Sequence, residues 1–590
     1  MKKCVLFIFL IISQVNYGQN NVVLAENYYR EGSYQKAIQM YKALVEKNPN
    51  NTNYFKQLIT CYQETSQFKR AESLLKKRLN ENPNRPYLNV ALGYNYEKQH
   101  QKEIASSYYD KAIHSIEKHP NLGGYIAQLF RHNNRLEYAI TAYKRAMQYN
   151  PNTNYNFQIA QIYGEKGALE KMFQSYVDLV DIHKNYLKTV QRFTSKYISE
   201  NPKNSNNLLF EKILTQKSAE NPKDVWNQLL SWLFIQQKEY KKAFIQEKEL
   251  FKRNPKYLSN SIKLGHIAFK NKTFQIAKQC FDFVIEHTFS LKEKLNATLF
   301  SLKIDIATAQ PGIEEKFNTV FSTYGKNQTT LKLQIEYADY LTFQKKQPKR
   351  AEGVLVEALS ISSSKLQKAR LKLKLGDLAV FTGKFNKALL YFSQVQTRIK
   401  NHPLAQEAQF KVAQTSYFKN DFKWALAQLK VLKAATTQLI ANDALDLFLI
   451  ISDNQPKDSL PSGLALYATA DLLAYQHKNI QAIDSLQTVL VKFKGQNIED
   501  EALYKQALLF VKTRQLEKAV ANYLKIIDLD KEGILVDDSL YQLAELHKNQ
   551  LNNPEKASEY YQKIIFDHSS SIYLVDARKK YRKLRGDTVQ

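Results

Sequence analysis

Small, apolar and aromatic residues recur along residues 21 to 151 at an interval of 34. The first copy runs Leu24, Tyr28, Gly32, Ala37, Tyr41, Pro49, and the second follows with Leu58, Tyr62, Ala71 and Pro83. Leu92, Gly93, Tyr96, Ala105, Tyr109 and Ala112 form the third, and Ala139, Tyr143, Ala146 and Pro151 close the fourth. In the clearest pairs, Ala37 with Tyr41, Ala105 with Tyr109 and Ala139 with Tyr143, a small residue precedes an aromatic by four positions. That spacing places both on one helix face, one turn apart. The pattern predicts two amphipathic helices per copy, crossing closely at the small residue.

Further along, the pattern loosens. A fifth copy, Ile159, Tyr163, Gly167 and Tyr176, carries Met172 at the small position. Residues 181 to 221 are expected to be helical but show no readable repeat. Leu230, Phe234, Ala243 and Pro255, then Leu264, Gly265, Ala277 and Phe281, restore the interval of 34. Ala351, Ala388 and Ala425 are 37 apart, as are Ala482 and Ala519, and Ala557 follows after 38. Ala425 to Ala482 is 57, which leaves room for one additional helix, expected over 439–452. The turn residues Asp453 to Pro456 and Pro461 to Gly463 place a hinge or subdomain boundary near 455–462.

A 34-residue unit of two amphipathic helices, with a small residue midway and a proline at its end, resembles the tetratricopeptide repeat. The later connections, Asn401 to Ala405 leading to Ala408 and Phe566 to Tyr573 leading to Ala577, are similar to repeats of bacterial periplasmic proteins that coordinate outer-membrane assembly and wall synthesis. The resemblance implies an all-α fold, a right-handed α-solenoid of stacked helix-turn-helix repeats. It divides the chain into an N-terminal array (19–290), an array of longer repeats (291–455) and a C-terminal array with a capping helix (463–590). It also implies a concave groove lined by the first helix of each pair. Carried onto this sequence, the groove positions are Lys56, Tyr87, Tyr94, Gln128, Arg131, Trp232, His266 and Phe269. Aromatic and arginine side chains in a concavity suit a peptide or helix partner. Trp232 and Phe269 also fit a plainer role as packing between neighbouring repeats. The family's carboxylate clamp is absent, because Val22, Glu26 and Thr60 stand where it needs other residues beside Lys56.

Composition adds constraints. A chain of 590 residues exceeds what one hydrophobic core organises, and 17 Gly and 14 Pro are few enough for a nearly all-helical array. The 37 Tyr are explained mainly by the aromatic that each helix of the repeat requires. Lys2 and Lys3, an apolar run from Val5 to Ile12 and Gly18 have the layout of a secretory signal peptide over residues 1–18. Export to the periplasm or envelope of a bacterium is therefore expected, with no transmembrane helix in the mature chain. Cys4 leaves with the signal, and Cys61 and Cys280 are expected as small buried hydrophobes rather than a disulfide.

The net charge is +29, with +2 in residues 1–18, +26 in 19–400 and +1 in 401–590. Such a field suits an acidic protein, an anionic glycan or a lipid headgroup layer, and export argues against nucleic acid. No phosphate-binding glycine loop, His-Glu-x-x-His, Cys-x-x-Cys or Gly-x-Ser-x-Gly motif occurs, and no cofactor, metal or catalytic site is expected. Acidic pairs such as Glu499 with Asp500 and Asp537 with Asp538 fall at expected helix starts, where the helix dipole accounts for them. The sequence therefore reads as a non-enzymatic exported scaffold that binds another envelope or secreted protein, an acidic one for preference, through its groove, with peripheral envelope association. The alternative is a basic surface protein on glycans or headgroups.

Overall fold

The computed structural model describes residues 21–432, 438–455 and 462–587. The expected signal segment 1–18 and most of the expected hinge lie outside these residues. Every regular element among the described residues is helical, and the helices follow one another as antiparallel pairs. The chain divides into two compact units, Met1–Leu233 and Phe234–Gln590, and the division falls within the helix Asp224–Gln236.

The turn inside each pair explains the intervals. In the first unit a residue with positive φ stands at Gly32, Ser66, His100, Asn134 and Gly167, that is, 34, 34, 34 and 33 residues apart. The second unit has Lys238, Lys272, Ala309, Lys346, Gly383 and Asn420, with one interval of 34 and then four of 37. His477 follows after 57, Arg514 after 37 and Asn552 after 38. After each left-handed residue the next amide closes the turn. Gln67 N donates to Tyr62 O at 2.8 Å, Arg135 N to Phe130 O at 2.8 Å, and Lys384 N to Ala379 O at 2.8 Å. This is the Schellman arrangement, in which a left-handed residue lets the chain leave one helix and enter its partner. Only three of these turn positions are glycine, so a search for glycine punctuation misses most of them.

Most second helices have 14 residues, with Lys102–Lys118 at 17 and Ile313–Tyr324 at 12 as departures, while first helices vary more systematically. Phe68–Glu81, Leu136–Tyr149, Phe385–Arg398 and Leu516–Leu529 each have 14 residues. The first helices Leu88–Glu97, Gly123–His132 and Asn156–Glu165 have 10. In the second unit Leu291–Ala307 and Lys365–Phe381 have 17 and Pro403–Phe418 has 16. In these pairs the longer interval is spent on the first helix, whereas between Ala309 and Lys346 the first helix Leu331–Phe343 keeps 13 residues and the connections take up the length. The additional helix is present as Gln438–Asp453. In the unreadable stretch, an eight-residue helix, Leu187–Thr194, precedes Ser205–Glu220. The connection between them is held by buried Asn207, whose amide nitrogen donates to Ser199 O at 2.8 Å and to Asn201 O at 2.9 Å.

The small residues do what close crossing requires. A Cβ on Gly93 would stand 2.4 Å from the Tyr109 ring, and one on Gly376 would stand 2.2 Å from the Phe392 ring. Ala37, Ala71, Ala139, Ala243, Ala388 and Ala519 are fully buried at the same position of the second helix. Cys61 and Cys280 are free and buried, and burial pushes the Cys61 thiol up to about 12, far from a reactive thiolate. The last described helix, Leu574–Leu584, buries only Ala577 and leaves Arg578, Lys579, Arg582 and Lys583 exposed.

Candidate partner-binding groove

In the first unit, the first helices of successive pairs line a cleft. Thr52–Glu64 is started by Asn51, whose Oδ1 accepts from Asn53 N at 3.0 Å and Tyr54 N at 3.1 Å. The helix then aims Lys56, Thr60 and Gln63 at the cleft, all on one face. Leu88–Glu97 adds Tyr94, and Tyr87 just before it meets Tyr125 edge-on at 5.1 Å. Arg78, from the second helix Phe68–Glu81, lays its guanidinium 3.9 Å over the Phe55 ring and donates to the Pro49 carbonyl.

The walls are basic and aromatic, and no carboxylate among the described residues lines the cleft. Burial, and after it the charge of Arg85, lowers the Arg78 pKa. His132 is held below its ordinary value by burial and by the Lys56 charge, which places three cations and a histidine around one slot. Neither Lys56 nor Arg85 has an ion-pair partner among the described residues. The slot measures about 70 Å³, room for one side chain rather than a helix.

The expected groove residues fall into distinct settings. Lys56, Tyr87 and Tyr94 line this cleft together. Gln128 is exposed on Gly123–His132 but outside the lining, and the residues that helix contributes are Tyr125, Leu129 and His132. Arg131 is half-buried and turned to the next first helix, where it binds Gln161 at 3.3 Å and pairs with Glu165. Trp232 is half-buried on Asp224–Gln236. In the second unit His266 packs against Phe300 at 4.4 Å and Phe281 at 5.2 Å, and Phe269 packs against Phe300 at 5.4 Å. Burial holds the His266 imidazole below its ordinary value, so it serves as an aromatic filler.

Two features went unread in the sequence. One is a ladder of ion pairs between successive first helices: Lys98 with Glu64 at 3.1 Å, Lys374 with Asp339 at 2.7 Å, Lys411 with Asp377 at 2.6 Å and Lys505 with Asp471 at 2.6 Å. Its sequence signal is an acid and a base 34 or 35 residues apart. The other is closure of the first-helix face within the second unit. Tyr475 and Gln476 reach back to Asp377 O at 3.4 Å and Phe381 O at 2.9 Å, and Phe343 packs on Tyr475 and His477. Aromatic side chains of the chain itself fill the face there.

Stacked helix pairs with one basic, aromatic cleft define a helical-repeat protein with a ligand-sized slot. Residues 28–92, and again 501–531 and 538–571, match the tetratricopeptide repeat family, so these stretches are tetratricopeptide repeats. No curated protein matches the sequence. Similar solved structures include Naa15/Naa10 bound to HypK-THB, at 12% identity over 96% of this chain and 94% of that one, TM-score 0.27. The APC/C hetero-tetramer Cut9-Hcn1 matches at 12% identity over 94% and 95%, TM-score 0.25. Yeast Tom70 matches at 15% identity over 96% and 99%, TM-score 0.28. At TM-scores this low, their assemblies say nothing about the partner of this chain. No helix among the described residues is long and apolar enough to cross a membrane.

Proposed function

We propose that the chain is a non-enzymatic, exported scaffold that holds another envelope or secreted protein through the cleft of its first unit. The observation that carries this reading is the cleft lining, with Lys56 and Arg85 unpaired beside Tyr87, Tyr94 and Tyr125 and no carboxylate among them. Such a slot accepts an acidic side chain of an extended segment whose neighbours rest on the tyrosines. Export rests on the sequence of residues 1–18, and N-terminal sequencing of the protein from its source cells tests it. A mature chain that keeps residues 1–18 overturns export.

A photo-crosslinking amino acid in place of Tyr94, used in intact cells with mass spectrometry of the adduct, tests the binding. One acidic partner is expected, lost with Lys56→Ala and Arg85→Ala together. Recovery of only free chain sinks the proposal. The charge of +26 over residues 19–400 supports the second reading, a basic surface on glycans or lipid headgroups. Binding of that kind falls steeply with ionic strength and ignores Tyr94→Ala, whereas the cleft complex depends on Tyr94 and tolerates salt better.

A further inference from the structure

The second unit carries a cavity of opposite character, about 950 Å³ in volume, between the start of the helix Ile498–Lys512, the connection after Leu516–Leu529 and the inserted helix Gln438–Asp453. Among the described residues eight carboxylates line it, and no lysine or arginine does. Glu499, Asp500, Glu501 and Asp538 lie in first turns of helices, where the dipole favours them. The dipole does not explain the others. Asp446 is mid-helix, while Asp453 ends its helix and Asp530 caps the C-terminus of Leu516–Leu529, where negative charge is disfavoured. None of the eight forms an ion pair among the described residues.

The crowding is expressed in the groups themselves. Burial first, and then Asp500, pushes the Glu501 carboxyl up to about 9, and burial also raises Asp446 and Asp538. Independently, the Tyr467 side chain lines the cavity at 4% exposure and has no hydrogen-bond partner among the described residues. Apolar side chains complete the lining, among them Leu529 at 52%, Ile534 at 78% and Ile572 at 85% exposure. Among the described residues no three acidic or other ligating groups converge as a metal site.

We infer that this cavity docks a lysine- or arginine-bearing amphipathic segment of a partner protein. Its cations face the unpaired carboxylates, its polar backbone or side chains reach the Tyr467 hydroxyl, and its apolar face covers Ile534 and Ile572. The volume suits a peptide segment rather than a single side chain. A chain of net charge +29 repels cationic peptides at long range, so capture of one marks a local site.

The test uses the full chain and three labelled peptides of equal length: alternating Lys and Leu in a helical amphipathic order, the same with Glu for Lys, and the same with Ser for Leu. Fluorescence anisotropy is expected to show the Lys/Leu peptide bound about tenfold or more tighter than either other. Asp446→Asn, Asp530→Asn and Asp538→Asn together are expected to weaken it about tenfold, and Lys56→Ala to leave it unchanged. Should the triple variant melt early, Ile534→Ser with Ile572→Ser, both at exposed positions, must weaken the peptide instead. Equal binding by wild type and variants overturns the proposal. So does a wild-type dimer in sedimentation that the acidic-site variants dissolve, since the occupant would then be a second copy of the chain.

Discussion

The cleft of the first unit and the cavity of the second are built by the same helix-pair repeat, yet they differ in charge, size and origin. The cleft draws its lining mainly from short first helices, gathers Lys56, Arg78 and Arg85 and has room for one side chain. The cavity draws on loops and helix ends from Asp446 to Tyr573 and gathers carboxylates around a space more than ten times larger. Elsewhere in the second unit the first-helix face is closed by Phe343, Phe381 and Tyr475. The repeat therefore sets where helices lie and leaves binding character to whichever side chains its faces and connections carry.

The sharpest way to break this comparison is through the shared packing. Gly93→Ala in the first unit and Gly376→Ala in the second each drive a Cβ into a buried ring. Each is expected to cost about 1–3 kcal/mol, read by urea unfolding, with hydrogen exchange rising in the repeat that carries the change. Gly353→Ala, which meets nothing within 4 Å, is the control and should not destabilise. If Gly93→Ala and Gly376→Ala melt like the wild type, the shared crossing is wrong.

Charge separates the two regions next. Glu501 keeps its proton in the folded chain up to about 9 but releases it near 4.5 when unfolded, so the folded state loses stability as pH rises through that window. Besides burial, the groups acting on it are Asp500 beside it and Asn454 across from it, while burial first, and then Asp471 and Glu501, raise the nearby Tyr467 hydroxyl. Glu501→Gln is expected to match the wild type at pH 4 and to exceed it at pH 8 by on the order of 1–2 kcal/mol, measured by thermal melting. A gain independent of pH would remove the titration as its cause. Lys56→Ala or Arg85→Ala should leave melting within about 0.5 kcal/mol of the wild type, because neither holds a structural ion pair, while the crosslinked partner is lost.

The smallest expected effect concerns the turns. Ala309 has φ of 51°, where its Cβ is crowded, and Ala309→Gly should stabilise by about 1 kcal/mol. A loss instead would mean that the gain in unfolded-chain freedom outweighs relief of the turn.

Much of the fold was legible because the repeat is written in short-range spacing. Ala351, Ala388, Ala425 and Ala482 show the same intervals of 37, 37 and 57 as the turns at Lys346, Gly383, Asn420 and His477. The inserted helix could be expected from the same arithmetic. Of the candidate groove, Lys56, Tyr87 and Tyr94 were readable because they project from or just before first helices at the positions where the resemblance puts a groove. Arg78 and Arg85 were missed because they arrive from a second helix and a connection. Tyr125 and His132 lie on the same helix as the expected Gln128 and Arg131, and the repeat spacing alone does not show which of these neighbouring positions faces the cleft. The acidic residues were seen one helix start at a time, and nothing local shows that Asp446 and Asp538 share a cavity.

The sequence by itself determined the helix pairs, their intervals and the crossing points, since each depends on residues a few turns apart within one repeat. The tertiary structure alone decided which first-helix face stays open, which is filled by Phe343 and Tyr475, and where charge of one sign collects. Those outcomes sum side chains from several repeats, and the free energy of a buried charge or an open cleft depends on what surrounds it in space rather than along the chain.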